Sequence, residues 1–263
     1  MVKCFKKLFT NFQQHAKSTA FTLAEILIVI SIIGLVAEIT IPSVVQKFNE
    51  EHTVVALKKF YSTFSQAYIS ILNEQGDPST WGLIETNPEE RVEANKKLMG
   101  YFEPYLRIDK NCGVVANTGC LPSAYRSIYS NTNQSQLSDT NTYSAKAHLA
   151  DGMLLSLWLL STDCAGKRGD SLQLQNICGV ATIDINGFNK PNVEGKDAFR
   201  FLITKYGILP FASPDETTYT FSNNCINNAK TTSWGCTGWV LVNNNMDYLH
   251  CSDLSWNGKQ KCN

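Results

Sequence analysis

Ala20-Phe21-Thr22-Leu23-Ala24-Glu25, continuing as Ile26-Leu27-Ile28-Val29-Ile30-Ser31-Ile32-Ile33-Gly34-Leu35-Val36-Ala37 and reaching Pro42, is a membrane-grade apolar run with one carboxylate just inside its start. Residues 21–41 number 21, about 32 Å of helix at ~1.5 Å per residue, which matches the ~30 Å hydrocarbon core of a bilayer. An unpaired acid inside hydrocarbon costs roughly 2.5–3.5 kcal/mol. Glu25 is therefore expected to have a partner, and cleavage between Ala20 and Phe21 would create one: a new α-amino group at Phe21, about 6 Å along the helix axis. In a bundle of identical helices staggered by one turn, each Glu25 would meet the amine of a neighbour, so that two costly charges neutralise each other.

Four features occur together: a basic leader (Lys3, Lys6, Lys7, Lys17), a small residue before an aromatic (Ala20, Phe21), a glutamate five residues after the cut (Glu25), and a proline about twenty residues on (Pro42). In this combination the chain resembles the type IV pilins and type II secretion pseudopilins, with Ala20 standing where that family usually has Gly. The resemblance implies removal of the leader by a prepilin peptidase, N-methylation of Phe21, and polymerisation through the mature helix on an inner-membrane assembly platform beside other pilin or pseudopilin subunits. Two other readings of the same residues stay open. An ordinary secretory signal could be cut after Leu35-Val36-Ala37, or the run could be an uncleaved anchor for a membrane-tethered extracytoplasmic binding protein or adhesin.

Charge and cysteine usage give the topology. Lys plus Arg and Asp plus Glu both number 23. The first twenty residues hold four lysines and no acid, leaving 19 basic against 23 acidic side chains and a net charge of minus four. A basic leader stays on the cytoplasmic side and the remainder crosses, placing a single-pass protein in the inner membrane with its head in the periplasm or outside the cell. A mildly acidic head has no electrostatic footprint for nucleic acid. Of nine cysteines, only Cys4 precedes the apolar run. The other eight, Cys112, Cys120, Cys164, Cys178, Cys225, Cys236, Cys251 and Cys262, are an even number in an exported region and so imply disulfides, although eight cysteines allow 105 pairings. Sequential pairing is the expectation: Cys112 with Cys120, Cys164 with Cys178, Cys225 with Cys236, and Cys251 with Cys262. No C-x-x-C pair is present, so a zinc site is disfavoured.

The fold class expected is α+β, with four parts: a leader over 1–20, a transmembrane and polymerisation helix over 21–42, its amphipathic continuation over 43–75, and a globular head over 76–263 built on an antiparallel sheet. Pro42 removes one helical donor and is expected to kink the helix rather than end it. Val44, Val45, Phe48, Val54, Val55, Leu57, Phe60, Tyr61, Phe64, Ala67, Tyr68, Ile71 and Leu72 recur at three- and four-residue spacing, which predicts an amphipathic helix with its aromatic stripe packed on a sheet. Residues 127–144, rich in Ser, Asn, Thr and Gln, read as a surface loop. Asp151-Gly152 predicts a hairpin turn. Residues 179–185 read as a strand, and so does Trp239-Val240-Leu241-Val242.

The stretch from Asp184 through Asn186-Gly187, Pro191-Asn192 and Gly195-Lys196-Asp197 to Phe199 further resembles pseudopilin sheet loops. Some of these bind Ca²⁺, but Asn and Gly turn chemistry accounts for Asp184, Asn186 and Asp197 without metal. No cofactor is implied. His148 and His250 have no catalytic motif around them, so no catalytic residue is assigned and an enzyme is not expected. Trp234, Trp239 and Trp256 in the Asn-rich C-terminal part could bind sugars if exposed, with core packing beside the disulfides as the commoner role.

Overall fold

In a computed structural model, which describes residues 22–131, 137–226 and 232–262, the chain forms two compact units, Met1–Phe48 and Asn49–Asn263. Helix α1 (Leu23–Gln75) runs without interruption and carries Pro42 inside it. Every large apolar side chain from Leu23 to Phe48 is exposed. Beyond them the buried positions are Val54, Leu57, Phe60, Phe64, Ala67, Tyr68 and Ile71, while Tyr61 and Leu72 of the expected pattern are half-buried and its Val44, Val45, Phe48 and Val55 are exposed. Gly76 ends the helix at φ +72°, donating its N–H to the Leu72 carbonyl at 3.0 Å. A left-handed glycine at this position is the usual helix stop, because it adopts positive φ without steric penalty.

Helix α2 (Pro88–Phe102) starts where Asn87 caps it, its side chain accepting the Glu90 N–H at 2.9 Å with Pro88 in the first turn. Strands β1 (Ile108–Gly113), β2 (Arg126–Ser127), β3 (Ala145–Leu149), β4 (Leu154–Leu159), β5 (Ile177–Asp184), β6 (Val193–Glu194), β7 (Ala198–Thr204) and β8 (Gly207–Pro210) follow. They form one sheet in the order β1-β3-β4-β5-β7-β6-β2, with β8 also paired to β7. The β3–β4 hairpin turns at Asp151-Gly152, with Gly152 at φ +87°.

The sheet is mixed rather than antiparallel throughout. β2 pairs with β6, and β6 with β7, in parallel sense. The cause is local. The Asp197 carboxylate accepts the Asn192 and Val193 N–H groups at 2.8 and 2.6 Å, and the tight loop so held brings Glu194 alongside Ala198 in the same sense.

Both faces of the sheet are covered. Leu155, Leu157, Ala181, Ile183, Phe199, Phe201 and Ile203 share one cluster with the buried residues of α1 and α2. Rings stack through it: Phe64 lies 4.8 Å from Phe102 and Tyr61 5.6 Å from Phe201. The aromatic stripe of α1 is therefore packing surface, and each fully buried large apolar side chain contributes about 1.5–3 kcal/mol. Smaller clusters around Phe211 and Tyr125 hold Val180 and Leu202, and Leu154 and Ala198.

Besides the mixed sheet, two elements differ from the sequence expectation. Trp239-Val240-Leu241-Val242 is helical, within α3 (Thr237–Asn243). Trp239 and Val240 are consecutive and both fully buried while Val242 is exposed, a pattern of helical rather than alternating period. Asn244, at φ +58°, closes α3 by donating its N–H to the Val240 carbonyl. The polar loop also departs, because Leu137, Ser138, Asp139 and Ser144 are buried. Asp139 organises this end, accepting the Gly119 N–H at 2.8 Å, the Cys120 N–H at 3.1 Å and the Thr118 hydroxyl at 3.1 Å.

Candidate functional site

At the start of α1, Glu25 has a partner within its own chain. Its carboxylate accepts the Thr22 backbone N–H at 2.8 Å and the Thr22 hydroxyl at 2.9 Å, and the Thr22 Oγ1 accepts the Glu25 N–H at 3.2 Å. The Thr22 carbonyl meanwhile accepts the Ile26 N–H, the first bond of the helix. This reciprocal arrangement is a capping box, and the Thr22-x-x-Glu25 spacing is its sequence signature. Glu25 thus has a local structural role that the membrane argument alone overlooks. The donors are neutral, however, so the carboxylate keeps its full charge and still lacks a counter-charge among the described residues. Ala20 and Phe21, the expected cleavage and methylation positions, lie outside the described residues.

The eight cysteines of the head form four disulfides, Cys112–Cys120, Cys164–Cys178, Cys225–Cys236 and Cys251–Cys262, separated by 8, 14, 11 and 11 residues. Two of them frame the C-terminal aromatic cluster. Trp239 stacks on Phe221 at 4.0 Å and lies 5.2 Å from Trp256, while Trp234 stacks under the Arg200 guanidinium at 4.2 Å. Trp239 is fully buried, while Trp234 and Trp256 are half-buried and packed on Arg200 and on Phe221 and Trp239.

Asp184 and Asp197 sit at the β5–β7 end of the sheet. Asp184 accepts the Tyr125 hydroxyl at 2.6 Å and the Asn186 N–H at 3.1 Å. Burial pushes the Asp184 carboxyl up to about 7, against the Tyr125 hydrogen bond, and pushes Asp197 up to about 6, against the Val193 and Asn192 amides. Their oxygens are committed to turn amides and a tyrosine. No group of three or more His, Cys, Asp or Glu placed to hold a metal occurs among the described residues. Arg200 and Glu194 form a buried ion pair, and Arg168 lies 3.5 Å from Glu216 with its guanidinium 4.6 Å from both the Phe211 and Tyr219 rings. The first pair joins β6 to β7 and the second joins two loop segments. His250 Nε2 lies 2.9 Å from Glu50 and His148 packs edge-on against Phe188 at 5.3 Å.

One feature on the head is a cleft of about 460 Å³ lined by Arg91 of α2, residues 140–144 and Trp158 of β4. None of its residues stands out in the sequence, because they come from three separated segments.

A family described as "Family of unknown function (DUF6613)" matches residues 43–248, which takes in the amphipathic half of α1, the whole sheet and α3. No curated protein and no solved structure matches the chain. With more than half of its length matched, this chain belongs to the DUF6613 family, whose function is unknown.

Proposed function

We propose that the chain is a structural subunit, minor or specialised, of a type IV pilus or type II secretion pseudopilus. In this reading prepilin peptidase removes residues 1–20, Phe21 becomes the methylated N-terminus, and α1 enters a filament core from the inner-membrane assembly platform. The observation that carries it is the first half of α1. Every large apolar side chain from Leu23 to Phe48 is exposed, and the one acid at the start of that surface is Glu25. An apolar surface of this extent needs lipid or other helices to cover it. A plain anchor would satisfy the apolar residues and leave the Glu25 charge unneutralised, whereas a polymer of like helices satisfies both. The head of residues 76–263 is large for a tightly packed fibre, which favours a minor subunit.

The capping box makes the test sharp. Glu25→Gln keeps a side-chain acceptor for the Thr22 N–H, since Glu and Gln both serve at this capping position, but removes the charge. If charge pairing drives assembly, Glu25→Gln and Glu25→Ala are both lost from sheared filaments while accumulating normally in the membrane. Wild-type incorporation of Glu25→Gln with loss of Glu25→Ala would assign Glu25 to capping alone and refute the pairing. Retention of Lys3 to Lys17 on the functional protein would favour the membrane-tethered reading.

A further inference from the structure

Asn-Gly occurs twice in the chain, at Asn186-Gly187 and Asn257-Gly258. This dipeptide has a chemistry of its own, because the backbone nitrogen of the glycine can reach the side-chain amide carbon of the asparagine with no side chain in the way. The reaction needs an asparagine amide free to swing toward that nitrogen and a nitrogen not held by a firm hydrogen bond. It also needs a backbone free to close an imide ring, a freedom that glycine supplies best. The two pairs meet these conditions very differently.

Asn186 is locked. Its amide nitrogen donates to the Lys190 carbonyl at 3.4 Å and lies 3.5 Å from the Asp197 carboxylate, while its backbone N–H donates to Asp184 at 3.1 Å. Its side-chain oxygen is buried. The Asp184 carboxylate also holds the Gly187 N–H, the nitrogen that would have to attack. Gly187 sits at φ +66°, and a Cβ there would lie 2.4 Å from the Gly152 carbonyl oxygen, so this backbone has no room to twist.

Asn257 is the opposite case. It and Gly258 are both exposed, at a surface turn inside the loop closed by Cys251–Cys262. The Asn257 side chain makes no hydrogen bond or ion pair among the described residues. The Gly258 N–H reaches only the Ser255 carbonyl, at 3.3 Å, longer than the roughly 2.7–3.2 Å of a normal N–H···O bond. A Cβ on Gly258 would meet nothing but the exposed Ser255 side chain. The turn is framed by the Ser255 N–H, which donates to the Lys259 carbonyl at 3.0 Å, and just beyond it the Lys259 ammonium lies 2.9 Å from the Asp253 carboxylate.

We propose that Asn257 is a site of spontaneous deamidation, through which the head acquires a new carboxylate as the protein ages. The Gly258 nitrogen gives its proton to hydroxide and bonds to the Asn257 Cγ; the bond from Cγ to the amide nitrogen breaks, and that nitrogen leaves as ammonia with a proton from water. Water then opens the imide. Breaking its Cγ–N bond gives aspartate at 257, and breaking the bond between the Asn257 main-chain carbonyl carbon and the Gly258 nitrogen routes the chain through the side chain as isoaspartate. Overall, water is consumed and ammonia released, and nothing is oxidised or reduced. The new carboxylate competes with Asp253 for the Lys259 ammonium, and the isoaspartyl form adds a methylene to the main chain of a loop whose ends the disulfide fixes. The reaction does not depend on how α1 is used.

The test incubates the full chain, disulfides intact, in mildly alkaline buffer with detergent, and maps its peptides over time by mass spectrometry with electron-transfer fragmentation, which separates aspartate from isoaspartate. Conversion should accumulate at Asn257 several times faster than at Asn186, with both products present. After reduction in urea, where the fold no longer distinguishes the two pairs, Asn186 should convert as fast as Asn257. Gly258→Ala, which shields the attacking nitrogen with a methyl, should slow conversion at Asn257 manyfold. Equal rates at the two sites in the folded protein would overturn the inference. So would an unchanged Asn257 over the period in which both sites convert in urea, or undiminished conversion in Gly258→Ala.

Discussion

Individual carboxylates carry the most information in this chain and are also where sequence alone falls short. Glu25 is conspicuous as an acid in an apolar run, yet its hydrogen bonds to Thr22 show that a three-residue spacing must be weighed together with a hydropathy argument. Asp184 is the reverse case. In sequence it is a turn aspartate; in the structure it is fully buried against Tyr125. Burial raises its folded pKa from an ordinary 3.8 to about 7, and raises Asp197 to about 6 and Glu216 to about 7. The folded state therefore holds protons that the unfolded chain has released, and stability falls as pH rises from about 4 to about 7. The melting temperature of the head should be higher at pH 5 than at pH 8. Asp184→Asn should remove part of that slope and leave the share due to Asp197 and Glu216. A melting temperature that rises across this window, unchanged in slope by Asp184→Asn, would contradict the assignment.

At the scale of elements, legibility follows from how local the cause is. The buried face of α1 was readable because packing and helical period coincide at Leu57, Phe60, Phe64 and Ile71, and its end was readable at Gly76. The β3–β4 hairpin followed from Asp151-Gly152 for the same reason. The α3 segment was misread because Trp239-Val240-Leu241-Val242 has strand composition, while its conformation is decided by distant groups. A Cβ on Gly238 would lie 2.5 Å from the Ala212 carbonyl oxygen, so the helix lies directly on that strand-end backbone. Gly238→Ala should accordingly destabilise the head by about 1–3 kcal/mol, the usual cost of overpacking, and Trp239→Ala by about 3–5 kcal/mol through the cavity it leaves; chemical denaturation would measure both. The parallel pairings of β6 were illegible for a similar reason, since two-residue strands have no period and their sense depends on the Asp197 carboxylate. The cleft residues were equally invisible, Arg91, Tyr143 and Trp158 being more than ten residues apart and brought together only by the sheet.

At the scale of the whole molecule, the head joins an α1–sheet core to loops pinned by four short-range disulfides. Each closes a loop of 8 to 14 residues, worth up to about 3 kcal/mol in the chain-entropy model. Reduction should lower the melting temperature, and a Cys225→Ser/Cys236→Ser variant should lose more than the loop term because Cys225 and Cys236 are fully buried beside Trp239. The leader divides the remaining possibilities, since Cys4 lies within residues 1–20 and is the one cysteine outside the four bonds. The most direct measurement of the central claim is the intact mass of the unreduced protein extracted from membranes, with thiols labelled after denaturation. A subunit processed for assembly will show a chain beginning at methylated Phe21 and no free thiol. A mass corresponding to Met1–Asn263, with Cys4 labelled on functional protein, would contradict it.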